Sequence, residues 1–199
     1  MTADSRLLDA QQLPAALAAD LDSSFEQLVL LYQNRLYAFA RHLSGSQQDA
    51  EEIVQDAFVR AYRALAGYDS ARVQALALRP WLYQITLNVC RNRQRTRQPQ
   101  WVPLADRSVG DSAELADDTI RQPETVLERA EESRALSRIV AGLPERYRAA
   151  VILRHIAGFS YPELAALLNQ PIGTVKANVH RGTKLLRAAL TAQFEEVSE

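Results

Sequence analysis

Apolar positions along the chain recur at intervals of three and four, the pattern of helices with one buried face. Phe25, Leu28, Tyr32, Leu36 and Phe39 form the first such stripe. Ser23 with Glu26 reads as a capping box in front of it and Gly45 as a left-handed stop, which predicts a helix over about 24–43. Ser46 with Asp49 opens the next, and Ala50, Ile53, Val54, Ala57, Phe58, Ala61, Tyr62 and Leu65 give the cleanest amphipathic stripe in the chain. Pro80 suits the first turn of a third helix over about 80–96 that buries Leu82, Ile85 and Val89 and ends in Arg91, Arg93, Arg95 and Arg97. Further on, Pro123, Pro144 and the pair Ser160/Glu163 mark helix starts, while Gly142, Gly158 and Asn169 mark stops. A last helix is expected from about Ile172 to Ala192. Alternating strand-length runs with hairpin dipeptides are missing, so the expected fold class is all-α.

The segment Ser160-Tyr-Pro-Glu-Leu-Ala-Ala-Leu-Leu-Asn169 is a short capped helix ending at a residue that tolerates positive φ, and Gln170-Pro171 leads into the last helix. This is a helix-turn-helix pattern. Ala165 allows close packing, and Leu164, Leu168 and Val175 are placed to fill the angle between the two helices. The second helix is expected to expose Thr174, Lys176, Ala177, Asn178, His180, Arg181 and Lys184. Arg reads guanine through N7 and O6, Asn reads adenine, and Thr174 with the helix N-terminal N–H groups can hold a phosphate. A solvated basic face on a helical hairpin is the alternative; cap, turn and basic face occurring together favour DNA.

Charge sharpens the division of the chain. Its 199 residues, 47% hydrophobic and 24% charged, describe a globular protein with a core, and the net charge of −1 hides a strong alternation. Residues 1–24 carry −3, 25–97 carry +4, 98–135 carry −5, 136–190 carry +6 and 191–199 carry −3. Two basic blocks either side of an acidic stretch imply two modules that meet a polyanion and a connector that repels it. The connector, residues 98–122, holds Pro99, Pro103, Gly110 and several acids with little apolar periodicity, and reads as a flexible tether. The expected organisation is an N-terminal extension over 1–24, a helical domain over 25–97, the acidic linker over 98–122, a helix-turn-helix domain over 123–192 and an acidic tail over 193–199.

Several chemistries drop out. Cys90 is the single cysteine, so neither an intramolecular disulfide nor a thiolate zinc cage is available. Gly182-Thr183-Lys184 has the wrong order for a phosphate-binding loop, and His42, His155 and His180 lie far apart without ligand spacing. The carboxylates Asp49, Glu51, Glu52 and Asp56 line one helix as a solvated face would, with no nucleophile and base beside them. A binding protein without an active site, metal or cofactor is expected. Apolar runs such as Leu28 to Tyr32 and Ala149 to Leu153 fall far short of the roughly 20 residues needed to cross a bilayer. The amino terminus lacks the basic start and apolar stretch of a secretory signal, so the cytoplasm is the expected location.

Two motif sets carry a family resemblance. Pro171-Ile-Gly-Thr-Val-Lys-Ala-Asn-Val-His-Arg181, preceded by Leu143-Pro-Glu-Arg-Tyr-Arg148 and Gly158-Phe-Ser-Tyr-Pro-Glu-Leu-Ala165, resembles region four of bacterial sigma factors of the extracytoplasmic-function (ECF) group. Asp49-Ala-Glu-Glu-Ile-Val-Gln-Asp-Ala-Phe-Val-Arg60-Ala-Tyr-Arg63 and Trp81-Leu-Tyr-Gln-Ile-Thr-Leu-Asn88-Val-Cys-Arg91-Asn resemble region two. The resemblance implies a dissociable promoter-specificity subunit whose partners are core RNA polymerase and promoter DNA. By it, Asp49, Glu52, Gln55, Asp56 and Arg60 would dock on the largest catalytic polymerase subunit. Tyr68, Trp81, Tyr83, Asn88, Arg91, Arg93 and Arg95 would meet the minus-ten element, where one base is flipped into a pocket and strand opening needs no ATP. Thr174, Lys176, Ala177, Asn178, His180, Arg181 and Lys184 would meet the minus-thirty-five element. Many relatives are also held by an anti-sigma factor, although no residue here marks one.

Physically, a flipped base needs a stacking surface and edge hydrogen bonds, with stacking worth about 1–3 kcal/mol. Trp81 serves equally well as a core residue at the helix start. The stretch 68–81 looks longer than the usual family loop and lacks its Gly/Phe pattern, while Ala177 and Asn178 stand where Ser and Arg are common. The competing readings are a duplex-only helix-turn-helix regulator, which has no need of the Asp49 to Arg63 ridge, and a helical adaptor whose basic faces bind acidic proteins.

Overall fold

The computed structural model describes residues 9–97 and 139–197, and every regular element among them is helical. The expected connector over 98–122, the helix start at Pro123 and the Arg97 side chain lie outside the described residues. The elements are α1 (Leu13–Ala19), α2 (Leu21–Ser44), α3 (Gln47–Ala66), α4 (Ser70–Gln74), α5 (Leu78–Arg97), α6 (Glu145–Val151), α7 (Tyr161–Leu168) and α8 (Ile172–Val197). Residues 139–142 form one more helical turn, and α6 runs on into a π-helical turn over Ile152–Ile156.

α2 and α3 make a helical hairpin because the two residues between them stop one helix and start the next. Gly45 takes φ +74° and donates its N–H to the Arg41 carbonyl, and the Ser46 hydroxyl accepts the Asp49 N–H at 3.3 Å. The facing stripes bury Leu28, Tyr32, Leu36 and Phe39 from α2 and Ala50, Ile53, Ala57 and Ala61 from α3. α5 lies across both and contributes Leu82, Leu87 and Val89.

Three elements of the first module depart from the sequence reading. α2 starts at Leu21, capped by Asp20, whose carboxylate accepts the Ser23 N–H at 3.2 Å; Ser23 is thus inside the first turn and is not the cap. The reason is α1, which ends at Asp20 and fixes where α2 begins. Leu13 and Leu17 of α1 are buried against α2 and α4, so the expected N-terminal extension contains part of the first module's core. α4 falls within the expected loop 68–81, started by Asp69 accepting the Arg72 N–H at 2.8 Å.

In the second module the full capping box forms: Ser160 N–H donates to Glu163 Oε2 at 2.7 Å and Glu163 N–H to Ser160 Oγ at 3.4 Å. Asn169 ends α7 in the left-handed region at φ 51°. Leu164, Leu168 and Val175 are buried in the angle between α7 and α8, as expected. α8 crosses α6 at Gly182, where an added methyl would stand 2.5 Å from Val151 Cγ2 and 3.2 Å from Tyr147 Cβ. The helix continues to Val197, past the expected end at Ala192 and into the expected tail.

The two modules touch. Phe159, fully buried, meets Tyr83 edge to face with ring centroids 5.0 Å apart. The Arg79 guanidinium sits 4.3 Å from the Phe159 ring centre and donates to the Ala157 carbonyl. Arg148 donates to Leu43 O at 2.9 Å, and Arg91 pairs with Glu145 at 3.4 Å.

The left-handed stop at Asn169 gives a direct check. Asn169→Ala should lower the stability of the helix-turn-helix by about 1 kcal/mol, because a β-carbon without a compensating polar group is penalised there, whereas Asn169→Gly should not. Denaturant midpoints of the two variants followed by circular dichroism decide it.

Candidate nucleic-acid and partner interfaces

Along α8, burial of Val175, Val179 and Gly182 turns the intervening side chains outward. Thr174, Lys176, His180, Arg181 and Lys184 are exposed and Ala177 is half-buried. No acidic residue occupies the first turn of the helix. Asn178 departs from expectation: it is only 8% exposed, and its Nδ2 donates to Gln170 Oε1 at 3.2 Å. It closes the helix-turn-helix turn and does not face outward as a base reader would. Arg181 is oriented by the neighbouring helix, since its hydrogen bond to the Tyr147 hydroxyl holds that phenol below its ordinary pKa, with Arg146 adding to the effect. Lys176 Nζ lies 5.7 Å from the Tyr161 ring centre, beside Arg154 on the same ring at 5.0 Å.

On α3, Glu52, Gln55 and Arg60 are exposed and Asp56 is half-buried. Asp56 Oδ2 accepts from Arg60 Nε at 3.2 Å and Nη2 at 3.0 Å, an i,i+4 pair that fixes both side chains along the helix. Asp49, expected on this ridge, is 5% exposed. Its carboxylate faces Arg93 Nε of α5 at 3.3 Å, and the same guanidinium donates to Glu52. That hydrogen bond to Glu52, with both carboxylates nearby, raises the Arg93 pKa. A residue expected on the polymerase side and one expected on the DNA side therefore form a single clip. Val59 and Tyr62, 42% and 37% exposed, add apolar surface beside the ridge. Tyr62 donates its hydroxyl to Asp22 and meets Phe25 edge to face, which ties that surface to α2.

The expected minus-ten residues divide into three situations. Tyr68 and Trp81 are half-buried with rings 6.4 Å apart and tilted by 55°. Asn88 and Arg95 are exposed, and Asn88 Oδ1 accepts from Gln84 at 3.2 Å. Tyr83 is 3% exposed, held between Phe39 at 4.9 Å and Phe159 at 5.0 Å, so it presents no free ring face. Burial raises its phenol pKa, against the lowering effect of Arg79 and Arg35. Arg91 and Arg93 are engaged with Glu145 and with the α3 carboxylates. Tyr68 also lines an open pocket of about 180 Å³ together with Leu17, Leu21, Leu65 and Val73.

Sequence reasoning did not single out Arg72 and Arg79. Arg72 stacks 3.7 Å from the Tyr68 ring centre, and the capping pattern Asp69-x-x-Arg72 was the signal that would have placed it on a helix four residues from Tyr68. For Arg79 no local signal exists, because its partners lie in the other module. Burial pushes the Cys90 thiol up to about 12, which leaves it inert. Among the described residues no group of three His, Cys, Asp or Glu could hold a metal ion, and no helix is long and apolar enough to cross a membrane.

Comparison with known proteins assigns both modules to one family. Residues 28–100 match the Sigma-70 region 2 family and residues 133–186 match Sigma-70, region 4. The chain is 29% identical over 170 residues to the ECF RNA polymerase sigma factor SigW of Bacillus subtilis, covering 84% of this chain and 89% of the relative. It is 32% identical over 166 residues to the ECF RNA polymerase sigma-E factor of Escherichia coli, covering 82% and 84%. Among solved structures it is similar to the sigma factor RpoE in complex with the anti-sigma factor NepR from Bartonella quintana, with a TM-score of 0.62 and 26% identity over 84% of this chain and 96% of that one. Two modules in the order region two then region four, each with its own match, make the chain a member of the ECF group of RNA polymerase sigma factors.

Proposed function

We propose that this sigma factor, the promoter-specificity subunit for RNA polymerase, divides its work by helix face in the cytoplasm. The outward ridge of α3, with Glu52, Gln55, Asp56, Arg60 and the adjoining Val59 and Tyr62, grips core polymerase. Tyr68, Trp81, Asn88 and Arg95, with Arg72 added, meet the opened minus-ten strand; Arg91, Arg93 and Tyr83 serve there once released from their present contacts. Thr174, Lys176, Ala177, His180, Arg181 and Lys184 read the minus-thirty-five duplex, and Asn178 and Asp49 act as positioning residues. An anti-sigma protein belongs among the partners in this reading, supported by the complex of the similar RpoE with NepR.

The observation that carries the proposal is α8. A helix that buries Val175 and Val179 over the capped α7 and turns Lys176, His180, Arg181 and Lys184 outward has the shape and charge to enter a major groove. Local opening without ATP would draw on stacking of unpaired bases on Tyr68 and Trp81, about 1–3 kcal/mol per base, and on salt-dependent phosphate contacts from the arginines.

Run-off transcription with core polymerase and a promoter library tests the whole. A promoter-dependent transcript is expected; no transcript together with no binding to core would reject the reading. Arg181→Ala should cost about 1–3 kcal/mol on templates with an intact minus-thirty-five element and little on scrambled ones, measured by DNA binding of the reconstituted holoenzyme. Equal loss on every template would make Arg181 a phosphate contact. Asp56→Ala should weaken association with core and leave the thermal unfolding of the free chain unchanged. Asp49→Ala should instead lower stability by about 1 kcal/mol, because it removes a buried partner from the part-exposed Arg93, and urea denaturation of the free chain reads this out.

A further inference from the structure

Arg181 leans on a side chain that lies outside the expected reading surface. α8 crosses α6 at Gly182 so closely that a β-carbon there would stand 3.2 Å from Tyr147 Cβ and 3.4 Å from the Tyr147 carbonyl oxygen. Gly182 and Tyr147 are buried at this crossing, while Arg181, one position earlier, is exposed. Its guanidinium donates to the Tyr147 hydroxyl. Arg146, next to Tyr147 on α6, lies 4.6 Å from the ring centre and adds a second cation to the same phenol.

A phenol is a neutral acceptor, and that decides what the contact does. On α3 the Asp56 carboxylate holds Arg60 by opposing its charge. Tyr147 fixes Arg181 and leaves the positive charge available to nucleic acid. A hydroxyl also occupies only part of the guanidinium, and the remaining N–H groups can meet N7 and O6 of a guanine, provided that the planar fork is held in one orientation. An arginine tethered in the free protein has already given up the side-chain freedom that an untethered one loses on binding. Its neighbours on α8 cannot share the work. Ala177 has no polar group, Asn178 is bonded to Gln170, and Lys176 lies toward the Tyr161 ring. No acidic residue occurs between Ile172 and Ala192 to draw Arg181 elsewhere along its own helix.

We propose that Tyr147 is a positioning residue for sequence readout: from α6 its hydroxyl presents the Arg181 guanidinium to a base edge of the minus-thirty-five element, and the close approach at Gly182 brings it within reach. Tyr147 makes no DNA contact of its own in this arrangement. The inference rests on the reading of Arg181 as a base contact.

The test places Tyr147→Phe in reconstituted holoenzyme and measures binding to templates with intact and with scrambled minus-thirty-five elements. The ring is retained, so thermal unfolding of the free chain should match the parent. A loss of roughly three- to tenfold is expected on the intact element, with little change on the scrambled one. In an Arg181→Ala background the same substitution should cost nothing further, because it acts only through that guanidinium. The free chain supplies a readout without DNA. Followed by carbon-13 NMR at Cζ, and identified as the resonance missing from Tyr147→Phe, the Tyr147 phenol should titrate at lower pH than the buried Tyr83. Arg181→Ala should raise its pKa, since the nearby cation favours the phenolate. Equal losses on both templates, an undiminished loss in the Arg181→Ala background, or a phenol indifferent to Arg181→Ala would each overturn the inference. Discrimination lost in Arg181→Ala but kept in Tyr147→Phe would overturn the positioning role alone. Discrimination kept in Arg181→Ala would overturn the assignment of Arg181 and this inference with it.

Discussion

Each helix of this protein must bury one stripe, and that requirement decides which side chains are left to do anything else. α3 shows it plainly. Once Ala50, Ile53, Ala57 and Ala61 are committed to α2 and α5, the helical period leaves Glu52, Gln55, Val59 and Arg60 pointing away. The same logic on α8 commits Val175, Val179 and Gly182 inward and frees the cationic positions between them. Function here is a property of the complement of the core, so small residues at the crossings, such as Gly182 against Val151, hold the functional faces in place.

What the sequence disclosed was local. The Ser160/Glu163 box, the left-handed Gly45 and Asn169 and the Ser46 cap all depend on residues a few positions apart, and each forms. What it concealed was tertiary. α1 has seven residues with only Leu13 and Leu17 buried, too few for a period to stand out, and Asp20 caps α2 only because α1 brings it there. Asn178 looked outward by its polarity and its place among basic residues, but its reach to Gln170 across the turn turns it inward. Tyr83 looked free because the ring that covers it is 76 positions away by numbering, in the second module.

Counting basic residues likewise overstates the charge offered to nucleic acid. Arg79, Arg91, Arg93 and Arg148 all have partners within the chain, two of them carbonyl oxygens of the opposite module. Desolvation lowers the Arg148 pKa. A guanidinium half-buried on peptide carbonyls fixes orientation between helices more than it attracts a distant polyanion, because its field is spent at short range.

The clip of Asp49, Glu52 and Arg93 has a bearing on how genetic data for this protein would be read. One guanidinium is shared between carboxylates assigned to different tasks, so a lesion in Glu52 also alters the electrostatics at the far end of α5. Phenotypes scored at one surface will contain a contribution from the other, and only paired substitutions with their single counterparts can separate an allele's two effects.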